Sequence, residues 1–196
     1  SYDMLVHDVA LQKLHVVLGV DRAGLVGADG ETHHGCLDVA FLTSIPGFTA
    51  LCPTSFAELR AMIRQALFEI DGPVAVRYPR GGEGPFTADT STQPVAQLKE
   101  GTQAALIAYG ILVNEVLDAA DQLERSGISA KVIKLNRIAP LDMAAILQET
   151  EGIDTVLVLE DCFETGSIGQ QIAAGMETAG QHHSHMILQN LKERFA

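Results

Sequence analysis

Apolar residues along this chain fall into short continuous runs that alternate with stretches of three- and four-residue spacing. The runs at 16–20, 74–78, 104–109, 130–135 and 155–159 have the length and content of buried strands. A shorter run, 48–52, is stopped by Pro53, and residues 185–188 begin a last strand. Between the runs lie helical patterns at 2–14, 37–42, 55–70, 112–125, 142–149 and 167–178. The pattern at 55–70 is the clearest. Phe56, Leu59, Met62, Ile63, Ala66, Leu67 and Ile70 share one face. Ser55 with Glu58 supplies a capping box, and Asp71-Gly72-Pro73 ends the helix. In 2–14 the expected apolar face is Leu5, Val9 and Leu14.

Strand–helix alternation with short connections predicts an α/β fold whose parallel sheets are covered on both faces. Residues 81–97 break the alternation. They are rich in Gly, Thr and Pro and have no period, which reads as an interdomain linker. The expected organisation is therefore two three-layer α/β/α domains, 1–80 and 101–196, joined by a linker over 81–100.

Composition narrows the partners. A chain of 196 residues with 47% apolar content can bury a sizeable core. The net charge of −12, without a Lys/Arg cluster, argues against nucleic acid and anionic membranes. No apolar run approaches the ~18 residues of a membrane span, and no stretch reads as a secretory leader. Cys36, Cys52 and Cys162 are odd in number and widely spaced, which fits free, buried thiols in a reducing cytoplasm.

The stretch from Asp21 to Gly35 holds the densest chemistry. It follows the apolar run at 16–20, and loops at the carboxyl ends of parallel strands open into ligand-binding crevices. Arg22 there is either a surface arginine paired to Asp21 or a bidentate phosphate binder. Asp29 and His33 are either turn residues or a substrate-binding pair, with His33 able to exchange protons near neutrality. The second apolar run delivers Arg77 and Arg80 to its carboxyl end, where Gly81 and Gly82 allow a ligand to approach the backbone. One of these arginines can equally pair with a carboxylate inside the domain. His182, His183 and His185 lack the cysteine or carboxylate company of a metal site and read as a solvated loop. Gly166-Ser167-Ile168-Gly169 opens a helix, and close packing explains it better than anion binding.

Together these motifs resemble one family. Asp21-Arg22-Ala23-Gly24, followed by Gly27-Ala28-Asp29-Gly30-x-Thr32-His33-x-Gly35, is similar to the pyrimidine-binding domain of the transketolase-like 1-deoxy-D-xylulose-5-phosphate synthases. The resemblance extends through His7-Asp8-Val9-Ala10, Asp71-Gly72-Pro73, Arg77-Tyr78-Pro79-Arg80-Gly81 and Asn136-Arg137-x-x-Pro140-Leu141-Asp142. It implies thiamine diphosphate and magnesium as cofactors, pyruvate and glyceraldehyde 3-phosphate as substrates, and a homodimer feeding isoprenoid and thiamine synthesis. It implies that Arg22 and Arg80 hold the aldehyde's phosphate. Asp29 and His33 would then contact its hydroxyl and carbonyl oxygens, with His33 the proton-transfer candidate and Arg77 and Tyr78 structural.

The family's Gly-Asp-Gly diphosphate and metal segment, and the glutamate that activates the aminopyrimidine, have no counterpart here. The expectation is a middle and C-terminal part of a longer enzyme, inactive alone and cut short at its end. Glu160-Asp161-Cys162-Phe163 and a single Gly166 stand where the family has a Glu-Glu pair and a glycine doublet. Transketolase shares Asp-Gly-x-Thr-His but not Asp-Arg-Ala-Gly, and a 2-oxo-acid dehydrogenase β-type subunit lacks the loop motif. An inert binding or assembly module is the non-enzymatic alternative.

Overall fold

The computed structural model describes residues 2–27, 29–183 and 185–191. They form two sheets. The first contains β1 (Val17–Val20), β2 (Thr49–Leu51), β3 (Val74–Arg77) and β7 (Arg137–Ala139), in the order β1-β3-β2-β7. The second contains β4 (Val95–Lys99), β5 (Ala104–Tyr109), β6 (Ala130–Leu135), β8 (Thr155–Phe163) and β9 (His185–Leu191), in the order β4-β6-β5-β8-β9. The helices are α1 (Tyr2–Met4), α2 (Asp38–Ser44), α3 (Phe56–Phe68), α4 (Val113–Arg125), α5 (Met143–Thr150) and α6 (Ile168–Ala179).

Most pairings are parallel, as the alternation predicts, but two are not. β4 runs antiparallel to β6, and β7 runs antiparallel to β2. The sheets are therefore mixed. Strand β4 lies inside the stretch expected to be linker. Val95 and Ala96 are buried, but Gln97 and Lys99 interrupt the apolar run that would have marked a strand. The rest of the stretch is not slack either. Phe56 donates its amide to Glu83 at 2.7 Å, Ser55 donates its hydroxyl to the Ala88 carbonyl at 2.8 Å, and Ser91 is buried.

Helix α3 shows why. Ser55 accepts the Glu58 amide at 3.1 Å, which is half of the expected capping box. The Glu58 carboxylate does not fold back onto Ser55. It accepts the Thr54 amide at 2.8 Å, the Thr90 hydroxyl at 2.8 Å and the Thr90 amide at 3.1 Å. It also pairs with Lys134 of β6 at 2.9 Å, both side chains being fully buried. Lys134 bonds Asn136, whose amide donates to the Thr90 and Gln93 carbonyls at 2.8 and 2.9 Å. One buried carboxylate thus ties α3, the connecting segment and the second sheet together.

The apolar stripe of α3 is wider than its buried face. Met62 and Ala66 are buried, while Phe56, Ile63 and Leu67 are exposed. At the N-terminus, α1 widens into a π-helical turn over Leu5–Ala10 and ends there. Leu5, Val6 and Ala10 pack against Leu42, Ile45, Phe48 and Ala75, whereas Leu14 is exposed. The largest core cluster crosses between the sheets. Val39, Ala50 and Cys52 of the first domain join Ile107, Ile133, Leu135, Ile138, Val156 and Ile172 of the second.

Candidate functional site

Strands β1 and β3 are parallel neighbours, with Val20 opposite Arg77, so the loops that follow them leave the sheet side by side. The Ala23 amide donates to the Tyr78 carbonyl at 3.1 Å and joins the two loops. Arg22 has φ 58°, a left-handed conformation unusual for a residue with a side chain. Gly35 imposes it. Its amide donates to the Arg22 carbonyl at 3.1 Å and to the Gly24 carbonyl at 2.9 Å, and its own carbonyl accepts the Gly24 amide at 3.1 Å. A Cβ on Gly35 would lie 2.4 Å from the Arg22 carbonyl oxygen, so the Gly35 position excludes a side chain.

Arg22 and Arg80 converge on one anion, the carboxylate of Asp29. Arg22 Nε lies 2.9 Å from Asp29 Oδ2, Arg80 Nη1 contacts Asp29 Oδ1, and Arg22 Nη1 lies 2.7 Å from Asp21. Arg22 and Arg80 are 38% and 50% exposed, so both heads remain open to a ligand. The hydrogen bond from Arg22 and the nearby Arg80 charge hold the Asp29 carboxyl below its usual range, outweighing the partial desolvation that works the other way. The structure brings three of the four sequence-predicted site residues together. It places His33 on the exposed rim of the same loop, its Nδ1 2.9 Å from the Thr32 hydroxyl. His34, which the sequence did not single out, pins the loop by accepting the Val26 amide on Nδ1 at 2.9 Å.

Arg77 takes the structural role expected of it. It is buried, with Nε 2.9 Å from Asp38, and with Nη2 2.8 Å from Asp161 and 3.1 Å from the Gly35 carbonyl. Burial works against its charge, but Asp161 and Asp38 outweigh that and raise its pKa. Burial likewise raises the Asp38 carboxyl, against the pull of Arg77.

A cleft of about 390 Å³ opens between the domains beside Arg80, lined by Ala23, Leu25, Pro79, Asp161 and Asn190 among others. A larger hollow, about 650 Å³, sits by the amino ends of β2 and β3 among Val6, Ala10, Ile45 and Pro73. Its lining is mainly aliphatic, with Lys13 and Asp71 at its margin, whereas the smaller cleft is the one that borders Arg80. The Gly166–Gly169 helix start is filled from within. Glu160 accepts the Ile168 and Gly169 amides at 2.8 Å each, together with the Tyr109 hydroxyl at 2.9 Å. His183 contacts the Ile153 carbonyl at 2.6 Å and His182 lies 3.4 Å from Glu177. Among the described residues no group of three or more His, Cys, Asp or Glu is arranged to hold a metal ion.

Residues 1–82 match the family description "Transketolase, pyrimidine binding domain", and residues 94–191 match "Transketolase, C-terminal domain". A 1-deoxy-D-xylulose-5-phosphate synthase of Chlorobium luteolum is 43% identical over 178 residues, covering 88% of this chain and 28% of the relative. That of Geobacillus thermodenitrificans is 36% identical over 200 residues, covering 100% of this chain and 32% of the relative. The chain thus spans under a third of the length of these relatives. A solved split-gene transketolase, an inactive β4 tetramer, superposes with a TM-score of 0.87 at 25% identity, covering 100% of this chain and 63% of that one.

Proposed function

Because this chain belongs to the transketolase family through its pyrimidine-binding and C-terminal domains alike, we propose that it supplies the aldehyde-phosphate subsite of a 1-deoxy-D-xylulose-5-phosphate synthase. That enzyme joins pyruvate, with loss of carbon dioxide, to glyceraldehyde 3-phosphate. The convergence of Arg22 and Arg80 on one carboxylate carries the proposal. Two planar guanidinium groups that already share an anion have the geometry to share a phosphate. Asp29 then leaves at least one arginine and turns to the substrate's hydroxyl. His33, on the rim of the loop, serves the carbonyl oxygen as proton donor.

Thiamine diphosphate enters this reading through the family and supplies the carbanion chemistry when bound. Its metal-bound diphosphate does not fit the described residues, which include no metal-ligating cluster. Magnesium is therefore assigned to no described side chain of this chain. A homodimer, a cytoplasmic setting and a role in isoprenoid and thiamine synthesis complete the proposal.

The test is an NMR titration of the chain with glyceraldehyde 3-phosphate and with unphosphorylated glyceraldehyde. A charge-assisted hydrogen bond contributes about 1.5–3 kcal/mol. Arg22→Ala and Arg80→Ala should each weaken the phosphorylated ligand by roughly one to two orders of magnitude and leave glyceraldehyde unchanged. Equal losses for both ligands would refute the assignment.

The superposition of all of this chain on 63% of the split-gene chain supports a second reading, in which this chain is a β-type subunit completed by a separate polypeptide. Affinity purification of the tagged chain from its own cells distinguishes the two. A stoichiometric second polypeptide bearing a Gly-Asp-Gly segment favours the subunit.

A further inference from the structure

A side chain of the second domain reaches the anion loop. Asp161 stands on β8, and its Oδ1 accepts Arg77 Nη2 at 2.8 Å. The same nitrogen donates to the Gly35 carbonyl at 3.1 Å, while Nε donates to Asp38 at 2.9 Å. The Asp161 carboxylate also stands against Gly24. A Cβ there would lie 2.5 Å from Oδ2 and 2.8 Å from Cγ. Two residues further along β8, the Phe163 amide donates to the Cys36 carbonyl at 3.2 Å. Gly24 and Gly35 are the residues whose backbone encloses Arg22. Arg22 itself keeps a left-handed φ of 58°, uncommon for a residue with a Cβ.

We propose that Asp161 is a positioning residue for the anion site, acting on Arg22 through Arg77, Gly35 and Gly24. This rests on the reading of Arg22 and Arg80 as the phosphate pair. Asp161 fixes the Arg77 fork so that it grips the Gly35 carbonyl, and its carboxylate forms the wall against which Gly24 turns. The Arg22 head is thereby aimed at the Asp29 carboxylate that it shares with Arg80, by a residue it does not touch.

Charge makes the test decisive. Asp161 lines the same cleft as Arg80, so its negative charge repels an incoming anion. Removing that charge, with no other effect, would tighten phosphate binding. Positioning predicts the opposite sign. Inorganic phosphate is titrated into the whole chain by NMR at a temperature where every variant is folded. Asp161→Asn, which keeps the shape, should weaken binding about fivefold or more. Asp161→Glu, which keeps the carboxylate, should stay within about twofold of the parent. In an Arg22→Ala background, Asp161→Asn should add nothing, since its path to the anion is gone. If Asp161→Asn does not fold, Arg77→Lys, which keeps the charge but loses the fork, should show the same weakening. Unchanged or tighter binding in Asp161→Asn overturns the proposal while leaving the phosphate pair intact. Phosphate binding that survives both Arg22→Ala and Arg80→Ala, or is absent in the parent chain, overturns the pair and the proposal with it.

Discussion

Asp29 sits where its two arginine partners would hold a substrate's phosphate, so it competes with any anion from outside. Asp29→Asn removes that competitor without changing its shape. Free phosphate should bind the variant more tightly, by about three- to tenfold in an NMR titration, and weaker binding would mean that Asp29 orients the arginines instead. The pH dependence has a definite sign. Asp29 has its pKa lowered by folding, so the bridge's contribution is fully present above the unfolded value. It is lost only as pH falls through the depressed folded value. The Arg22 Nε proton signal should therefore persist into acid where ordinary carboxylates have already taken up protons. The thiols show the other direction. Burial, first of all, pushes Cys52 and Cys162 up to about 12, and raises Cys36 as well. All three should resist alkylation at pH 8 in the folded chain and react fully in denaturant, as followed by mass spectrometry.

At the scale of elements, most strands and helices were legible because their periods are intact: β3, β5 and β6 as apolar runs, and α4 by its stripe. The departures share a cause, which is tertiary pairing that no local period encodes. β4 is half polar and becomes a strand because β6 offers an antiparallel edge. Glu58 reads as a local cap but answers to Thr90 and Lys134, far along the chain. The two arginines were legible from their strand-end positions. The meeting of both with Asp29 was not, because it depends on β1 and β3 being neighbours. The Glu58–Lys134 pair allows a direct check. Glu58→Gln leaves the Lys134 cation buried and uncompensated, so it should destabilise the chain by about 3–5 kcal/mol in denaturant unfolding. A double replacement, Glu58→Leu with Lys134→Met, should recover only part of that loss, because the Thr54 and Thr90 amides lose their acceptor. For the same reason the connecting segment should survive limited proteolysis longer than its composition suggests.

At the scale of the whole molecule, the two domains share a core cluster and should unfold in one calorimetric transition. Two resolved transitions would show that the cluster does not couple them. β7 carries this furthest. It belongs to the second half of the sequence, yet it covers the outer edge of β2 in the first sheet. A polypeptide ending before residue 94 would present β2 with its hydrogen-bonding groups unpaired, next to the buried Ala50 and Leu51. Such an edge recruits whatever strand it meets, including that of an identical neighbour. The sequence divides into two modules, but the first sheet is closed only by a strand made after the module boundary. A ribosome releasing the first half early would release a self-adhesive surface, and the unit of safe synthesis is the pair.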